Sequence, residues 1–412
     1  MMRPSTQQKQ QERPQWEVAD IFDRYFDAYR ATHGVSRHQL KVVGAIRKCR
    51  TAALGAHVLE CDRCGYLDIS YNSCRNRHCP RCQYGRQQEW VQARLEELLP
   101  ICYHHTVFTL PDGHLHTLML YNKEVMYGLF FRTAAETLHT FARDPKHLGA
   151  EIGFIGILHT WGQTLCYHPH LHFIVTGGGI SFDGQRWVPL KYGAKFLFPV
   201  KAMSRVMRGK FIAGLRRAYE EGRLKFEGEI AHLADARAFE GFLDQLAGQA
   251  FVIYNEAPFS SAEQVVGYFG QYTQRVAISN YRILDIEGGQ VRFRYRDNPD
   301  GGKQKVMALR AEEFIRRFLL HVLPEGFKKV RHYGILSSGV KQVKLALARQ
   351  LLAAQATVKG VVGEVKERVG EWLRQCPLCQ VGRMCFRRLI EPQEIPAYRL
   401  MLTGGRACFD TS

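Results

Sequence analysis

The chain of 412 residues lacks any run of eighteen apolar residues, which argues against a membrane-spanning helix. Its first stretch, "MMRPSTQQKQQERPQ", lacks the apolar segment of a signal peptide. Residues 1–18 are expected to form a short disordered tail. No internal repeat is present, so a solenoid or propeller is not indicated. Acidic residues are scarce beside basic ones, 39 against 57, leaving a net charge of +18. This surplus is spread along the chain instead of being held in a tail. It points to a polyanionic partner, nucleic acid first, bound along an extended groove.

Hydrophobic residues make up 46% of the chain, enough for two or three domains and a substantial core. Helical spacing of Val18, Ile21, Phe22, Tyr25, Phe26 and Tyr29 predicts a helix to Thr32. A second helix is expected from about Tyr84 to Leu99, stopped by Pro100. The runs "HTVFTL", "GFIGILHTW" and "HLHFIVTGG" read as strands, the last two as an antiparallel pair. Helices are expected from Thr117 to Arg143 and from Val200 to Glu221, with a short hairpin at "FDGQRWVPL" between them. "AFVIYNEAPF" is another strand. Ser260 and Glu263 form a capping-box pattern that starts a helix near Ala262. "YRILDIEGGQVRFRYRD" is a strand pair turning at Gly288-Gly289. From Leu309 onward the chain reads as mostly helical and basic.

Twelve cysteines in a chain without a secretion signal are better suited to metal than to disulfides. Cys61-x2-Cys64 and Cys79-x2-Cys82 each place two thiolates on a tight turn, and two such pairs complete a tetrahedron around structural zinc. Cys74 and His78 compete for one of the four places. Arg63, Arg75, Arg77 and Arg81 would surround this metal with positive charge suited to DNA, or stand as ordinary solvated arginines. Near the other end, Cys376-x2-Cys379 with Cys385 supplies half of a second zinc knuckle, which Cys408 would complete. The alternative there is unpaired surface thiols.

"CYHPHLHFIV" holds three histidines within five residues. On a strand His168, His170 and His172 share one face, with Leu171 and Phe173 on the other. Pro169 cannot donate to a ladder, which leaves His170 and His172 as the paired ligands. His159, on the preceding strand, is the expected third ligand, with Gln163 and His168 as competitors. Three protein ligands with open positions suit a divalent ion acting on a substrate. "YFGQY" sets Tyr268 and Tyr272 four apart on one helix face. Beside a metal in a basic chain, a tyrosine oxygen can attack a phosphodiester polarised by the ion. The products would be a phosphotyrosine and a 3′ hydroxyl.

These residues resemble the HUH transposases of rolling-circle insertion sequences, specifically the insertion sequence ninety-one group. The resemblance runs from about Ala19 to Arg388 and includes "GAHVLECDRCG", "YNSCRNRHCPRCQ", "HTVFTLP", "LHTWGQTLCYHPHLHFIVTGGG", "YFGQYTQRVAISN" and "GFKKVRHYGIL". His170-Leu171-His172 matches the histidine–hydrophobic–histidine motif, and Tyr268 and Tyr272 match the two nucleophiles. Three positions depart from the pattern. Gln271 stands where a basic residue is common, Gln274 where histidine is, and Glu256 where lysine is, so positive charge near the tyrosines is reduced.

The resemblance implies an α+β fold with an HUH endonuclease core, an antiparallel sheet flanked by helices. A helical and zinc-binding domain over 19–104 would precede a catalytic domain over 105–300, followed by a mostly helical, basic region over 301–412. The implied activity is metal-dependent single-strand DNA cleavage and joining through a 5′-phosphotyrosine, driving rolling-circle transposition. Structural zinc and catalytic Mg2+ or Mn2+ are the implied cofactors. DNA is the implied partner, as single-stranded element ends and target, in the cytoplasm of a prokaryote at the nucleoid. Arg275, Lys303, Lys305, Lys328, Lys329, Arg331 and His332 are expected to track its phosphates. The alternatives are a replication initiator or relaxase of the same chemistry, a hydrolytic metalloenzyme, and a non-catalytic zinc protein that binds nucleic acid.

Overall fold

The computed structural model describes residues 14–82, 97–191, 197–256, 259, 265, 276–359 and 376–396. The first elements are the helices Val18–Thr32 (α1) and Arg37–Lys48 (α2), then the strands Ala56–Cys61 (β1) and Leu67–Tyr71 (β2). Strand Tyr103–Thr109 (β3) is followed by helices His114–Tyr121 (α3) and Lys123–Arg143 (α4), then by strands Ala150–Trp161 (β4), Tyr167–Ser181 (β5) and Trp187–Pro189 (β6). Helices Val200–Glu220 (α5) and Ala236–Gly248 (α6) precede strand Val252–Asn255 (β7). Strands Ile283–Glu287 (β8), Gln290–Asp297 (β9) and Lys303–Arg310 (β10) lead into helix Ala311–Leu320 (α7). Strand Val330–Gly334 (β11), helix Lys341–Lys359 (α8) and strand Met384–Ile390 (β12) complete the order.

These elements form two compact units, both discontinuous in sequence, so the expected boundaries at 104 and 300 are crossed. One gathers the described residues of Met1–Gln83, Ile278–Leu319 and Lys366–Ser412; the other those of Tyr84–Ala277 and Leu320–Val365.

The first unit holds two three-stranded antiparallel sheets, ordered β12-β1-β2 and β10-β9-β8. Of the predicted stripe, α1 buries Val18, Ile21, Phe22, Phe26 and Tyr29, while Tyr25 stays partly exposed. The Phe22 ring meets Phe318 of α7 edge-on at 5.3 Å. The Val18 N–H donates to Asn280 Oδ1 at 3.1 Å, which anchors the helix start to the segment before β8.

The second unit is built on an antiparallel sheet ordered β11-β4-β5-β3-β7, with β6 paired to β5. Strand alternation gives this sheet two different faces. Leu171, Phe173 and Val175 of β5 join Phe108, Phe154 and Leu158 in a core with α3, α4, α5 and α6. Ile155, Ile157 and Ile174 belong to a separate cluster with Leu336, Leu345 and Ala348. The helices therefore cover one face with a continuous apolar core. The other face carries that second apolar cluster and, beside it, His159, His170 and His172.

The helical expectation between Thr117 and Arg143 resolves into α3 and α4, which break at Asn122. Its side-chain amide donates to the Leu118 and Lys225 carbonyls, and its Oδ1 accepts from the Lys225 N–H at 2.7 Å. The stretch from Leu309 contains α7 and α8 together with β11 and β12. β11 has only five residues, and its strand state comes from pairing with the β4 edge, a partner far away in sequence. The expected helices over 84–99 and from 262 lie outside the described residues, apart from 97–99, which are not helical, and Val265.

Candidate functional site

The β4–β5 register places His159 directly opposite His170, and β5 alternation puts His172 on the same face. The ring centroids of His159 and His170 are 5.5 Å apart, those of His159 and His172 4.6 Å, and those of His170 and His172 4.8 Å. One nitrogen from each lies within 4.8 Å of the other two. A register shift between His159 and Trp161 bends β4 beside the cluster, and the Trp161 ring stacks on His159 at 4.7 Å. Of the competitors for the third place, His168 has its ring 5.3 Å from that of His170 but outside the three-histidine group. It groups with Asp112 and His116.

Hydrogen bonds fix which nitrogen two of the rings turn to the centre. His170 Nδ1 donates to the His168 carbonyl at 2.7 Å, so its Nε2 keeps the lone pair. His172 is set by a longer relay. The Glu256 carboxylate only accepts, so His105 Nδ1 carries the proton donated to it at 2.7 Å. His105 Nε2 is then an acceptor, and His172 Nδ1 donates to it at 2.8 Å. That leaves His172 Nε2 as a ligand nitrogen. Carboxylate-oriented imidazole is the usual way a protein fixes the tautomer and raises the basicity of a metal-binding histidine.

This relay was not legible in the sequence. Glu256, noted there only as a departure that removes positive charge, caps β7 and reaches His105 across the β3–β7 pair. A signal existed in the double histidine of "YHHTVFT": His104 faces the opposite side, where burial pushes it down to about 4. His105, by alternation, faces the cluster.

The cysteines assemble differently from the expected single tetrahedron of Cys61, Cys64, Cys79 and Cys82. Cys79 and Cys82 meet Cys49 and Cys74, whereas Cys61 and Cys64 meet Cys376 and Cys379. The two expected pairs separate because Cys61 ends β1 and its β1–β12 pairing carries it to the distant knuckle. In the first cluster Cys49 Sγ lies 3.4 Å and Cys74 Sγ 3.6 Å from Cys82 Sγ. Thiols of Cys49, Cys74 and Cys79 donate to Cys82 and pull it far below its usual range, while Cys79 is pushed far above by the same neighbours. A divalent ion held by the four sulfurs would let all of them ionise. None of the described cysteines is in a disulfide.

Cys74 is thus a member of the cluster, and His78 is not; its Nδ1 pairs with Asn76 Oδ1 at 3.1 Å. Cys385 is exposed and its thiol points to the Arg383 carbonyl. Cys408 lies outside the described residues. Arg81, expected near DNA, turns inward to Glu17 and to the Cys49 carbonyl.

The cation candidates fall in different places. Lys303 pairs with Asp300, and Lys305 with Asp297 and Asp300. In the second unit Arg331 and His332 are neighbours on β11, and Lys328 and Lys329 lie just before it. Lys329 sits 5.4 Å over the Trp161 ring, beside His159, and the Arg331 guanidinium lies 4.3 Å over Phe131. Arg275, Tyr268 and Tyr272 lie outside the described residues, as do Gln271 and Gln274.

Comparison with known proteins matches residues 153–344 to a family described as "Putative transposase" and residues 21–110 to one described as "Transposase zinc-binding domain". The chain is 47% identical over 404 residues to "Putative transposase y4qJ" of Sinorhizobium fredii, covering 96% of this chain and 98% of that one. It is 28% identical over 314 residues to "Transposase for insertion sequence element IS801" of Pseudomonas savastanoi pv. phaseolicola, covering 74% and 72%. No solved structure matches. With a histidine cluster inside the first matched segment and a four-thiol cluster inside the second, the chain belongs to the transposases of the insertion sequence ninety-one family.

Proposed function

We propose that this transposase cleaves and rejoins single-stranded DNA through a 5′-phosphotyrosine, with Tyr268 and Tyr272 as nucleophiles, and so drives rolling-circle transposition. The observation that carries the reading is the convergence of His159, His170 and His172, with two of the three rings held so that Nε2 faces inward. These three would hold Mg2+ or Mn2+, which when bound polarises the scissile phosphate. Val265, three residues ahead of Tyr268, is helical and packs in the apolar cluster that includes Ile155, Ile157 and Ile174. That cluster shares the sheet face of His172, which supports delivery of the tyrosine segment to the metal.

In the cleavage step a tyrosine Oη attacks phosphorus, the bond to the 3′ oxygen breaks, and that oxygen leaves as a 3′ hydroxyl. The tyrosine proton passes to solvent or to a neighbouring base. A 3′ hydroxyl attacking the phosphotyrosine reverses the step and joins the strands. Two tyrosines allow one strand end to be held while the other is exchanged. Lys329, over the Trp161 ring that stacks on His159, would attract the phosphate backbone. Cys49, Cys74, Cys79 and Cys82 would hold a structural zinc.

The test is a denaturing gel of the protein incubated with a labelled single-stranded oligonucleotide from the element end and Mn2+ or Mg2+. A covalent adduct is expected with the wild type and none with Tyr268→Phe plus Tyr272→Phe. An adduct that survives in the double variant refutes the assignment of the nucleophiles; no adduct with wild type refutes the chemistry.

A further inference from the structure

The segment matched to a transposase zinc-binding domain ends at residue 110, yet Cys61 and Cys64 inside it find their partners beyond residue 375. Cys61 Sγ is 3.7 Å from Cys379 Sγ, and Cys64 Sγ is 3.7 Å from Cys376 Sγ. A disulfide would need about 2.05 Å. Four sulfurs arranged tetrahedrally at about 2.3 Å from a zinc ion lie about 3.8 Å apart along each edge. The measured spacing is that of a zinc tetrahedron.

The backbone around the four thiols repeats itself. The Gly65 N–H donates to the Cys61 carbonyl at 3.1 Å, and the Gln380 N–H donates to the Cys376 carbonyl at 3.0 Å. Both turn residues have positive φ, +69° for Gly65 and +55° for Gln380. Each knuckle also points a backbone N–H at a sulfur. Arg63 donates to Cys61 Sγ at 3.4 Å and Gly382 to Cys379 Sγ at 3.3 Å. Two like turns facing one another across four sulfurs are the two halves of one site.

Other contacts lock the halves in register. β1 pairs with β12 from Ala56–Ile390 to Cys61–Met384. The Asp62 N–H donates to the Arg383 carbonyl at 3.0 Å, and the Arg383 N–H returns to Asp62 Oδ1 at 2.7 Å. A Cβ added at Gly382 would come 2.3 Å from Cys61 Sγ, so the C-terminal turn can approach the N-terminal sulfur only as glycine. Leu59, Cys61, Cys376 and Met384 form the small apolar cluster around it.

We propose that Cys61, Cys64, Cys376 and Cys379 bind a second structural zinc, distinct from the one at Cys49, Cys74, Cys79 and Cys82, which clasps the two ends of the chain together. The N-terminal zinc-binding segment is then incomplete in itself. It borrows half of its second site from a stretch more than 300 positions downstream, and β12 is held as the third strand of the β12-β1-β2 sheet by the same ion.

The test counts zinc in the purified full-length protein by elemental mass spectrometry. Cys61→Ser with Cys64→Ser loses one zinc per chain relative to wild type, Cys376→Ser with Cys379→Ser loses one, and all four together still lose only one. A loss of two in the quadruple variant, or none in the 376/379 pair, overturns the shared site. Because a variant can fail to fold, wild-type protein is also titrated with a chelator and mapped by thiol alkylation. Cys61, Cys64, Cys376 and Cys379 are expected to become reactive together at one chelator dose, while exposed Cys385 reacts from the start. Labelling of Cys376 and Cys379 at the rate of Cys385 in the zinc-loaded protein overturns the proposal.

Discussion

His159, His170 and His172 lie on two neighbouring strands of one hairpin and meet through a single antiparallel register. Cys61 and Cys379 are 318 positions apart and meet only after β12 has paired with β1. Closing the hairpin costs little chain entropy, since the cost grows with loop length. The long-range site must be held by contacts already made elsewhere, here a strand ladder and a small apolar cluster. Local ligand sets can be read from spacing, because strand alternation fixes which side chains share a face. Distant sets cannot, and two-cysteine motifs that look like partners in sequence are free to choose others.

The largest effect should come from undermining the hairpin itself. Phe173, fully buried among Phe108 and Phe154 behind the histidines, should cost about 3–5 kcal/mol when replaced by alanine. Chemical denaturation monitored by circular dichroism measures it. A cost under about 1 kcal/mol would mean that the register does not depend on this core.

His172→Ala should reduce the DNA adduct by more than about 100-fold while the unfolding midpoint stays near that of wild type. A cysteine-cluster variant should behave in the opposite way, losing zinc and stability first. If His172→Ala unfolds the protein as readily, the distinction between a working metal site and a holding one fails.

Glu256→Gln should weaken Mn2+ binding by about 10-fold, because it takes the charge from the relay that orients His172. Calorimetric titration of Mn2+ into wild type and variant measures this, and equal affinities would show the relay to be structural packing only. Restoration by Glu256→Asp with added Mn2+ would sharpen the assignment.

The smallest effect lies on α7, which carries none of the clustered histidines or cysteines. Arg316 and then Arg317 hold the half-exposed Glu313 carboxylate down to about 2. A depressed carboxylate stabilises the fold above its unfolded pKa of about 4.3, and that contribution fades as pH falls toward 2. Glu313→Gln should therefore cost about 0.2–1 kcal/mol at pH 7, screened by salt. Melting curves of the two proteins should converge between pH 4 and pH 2; a gap that widens in acid would reverse the sign.

Much of the histidine site was legible beforehand. Alternation assigned Leu171 and Phe173 to the core and His170 and His172 to the other face, and the structure places His159 across from His170. The Glu256–His105 relay was hidden because it needs β3 to lie between β5 and β7, an order that no local pattern encodes. The cysteine partners were hidden for the same reason, and Cys49 gave no motif at all, being a lone cysteine at the end of α2.

The sequence by itself determined the apolar stripe of α1, the β4–β5 hairpin and the face its histidines share, since each follows from a period of a few residues. It also determined the chemistry on offer: thiols in pairs, imidazoles in alternation and a surplus of cations. Tertiary structure decided which thiol pairs combine, which strand lies beside which, and that Glu256 reaches His172 through His105. Those outcomes depend on contacts between segments hundreds of residues apart, where only the packed chain fixes which donor atoms meet.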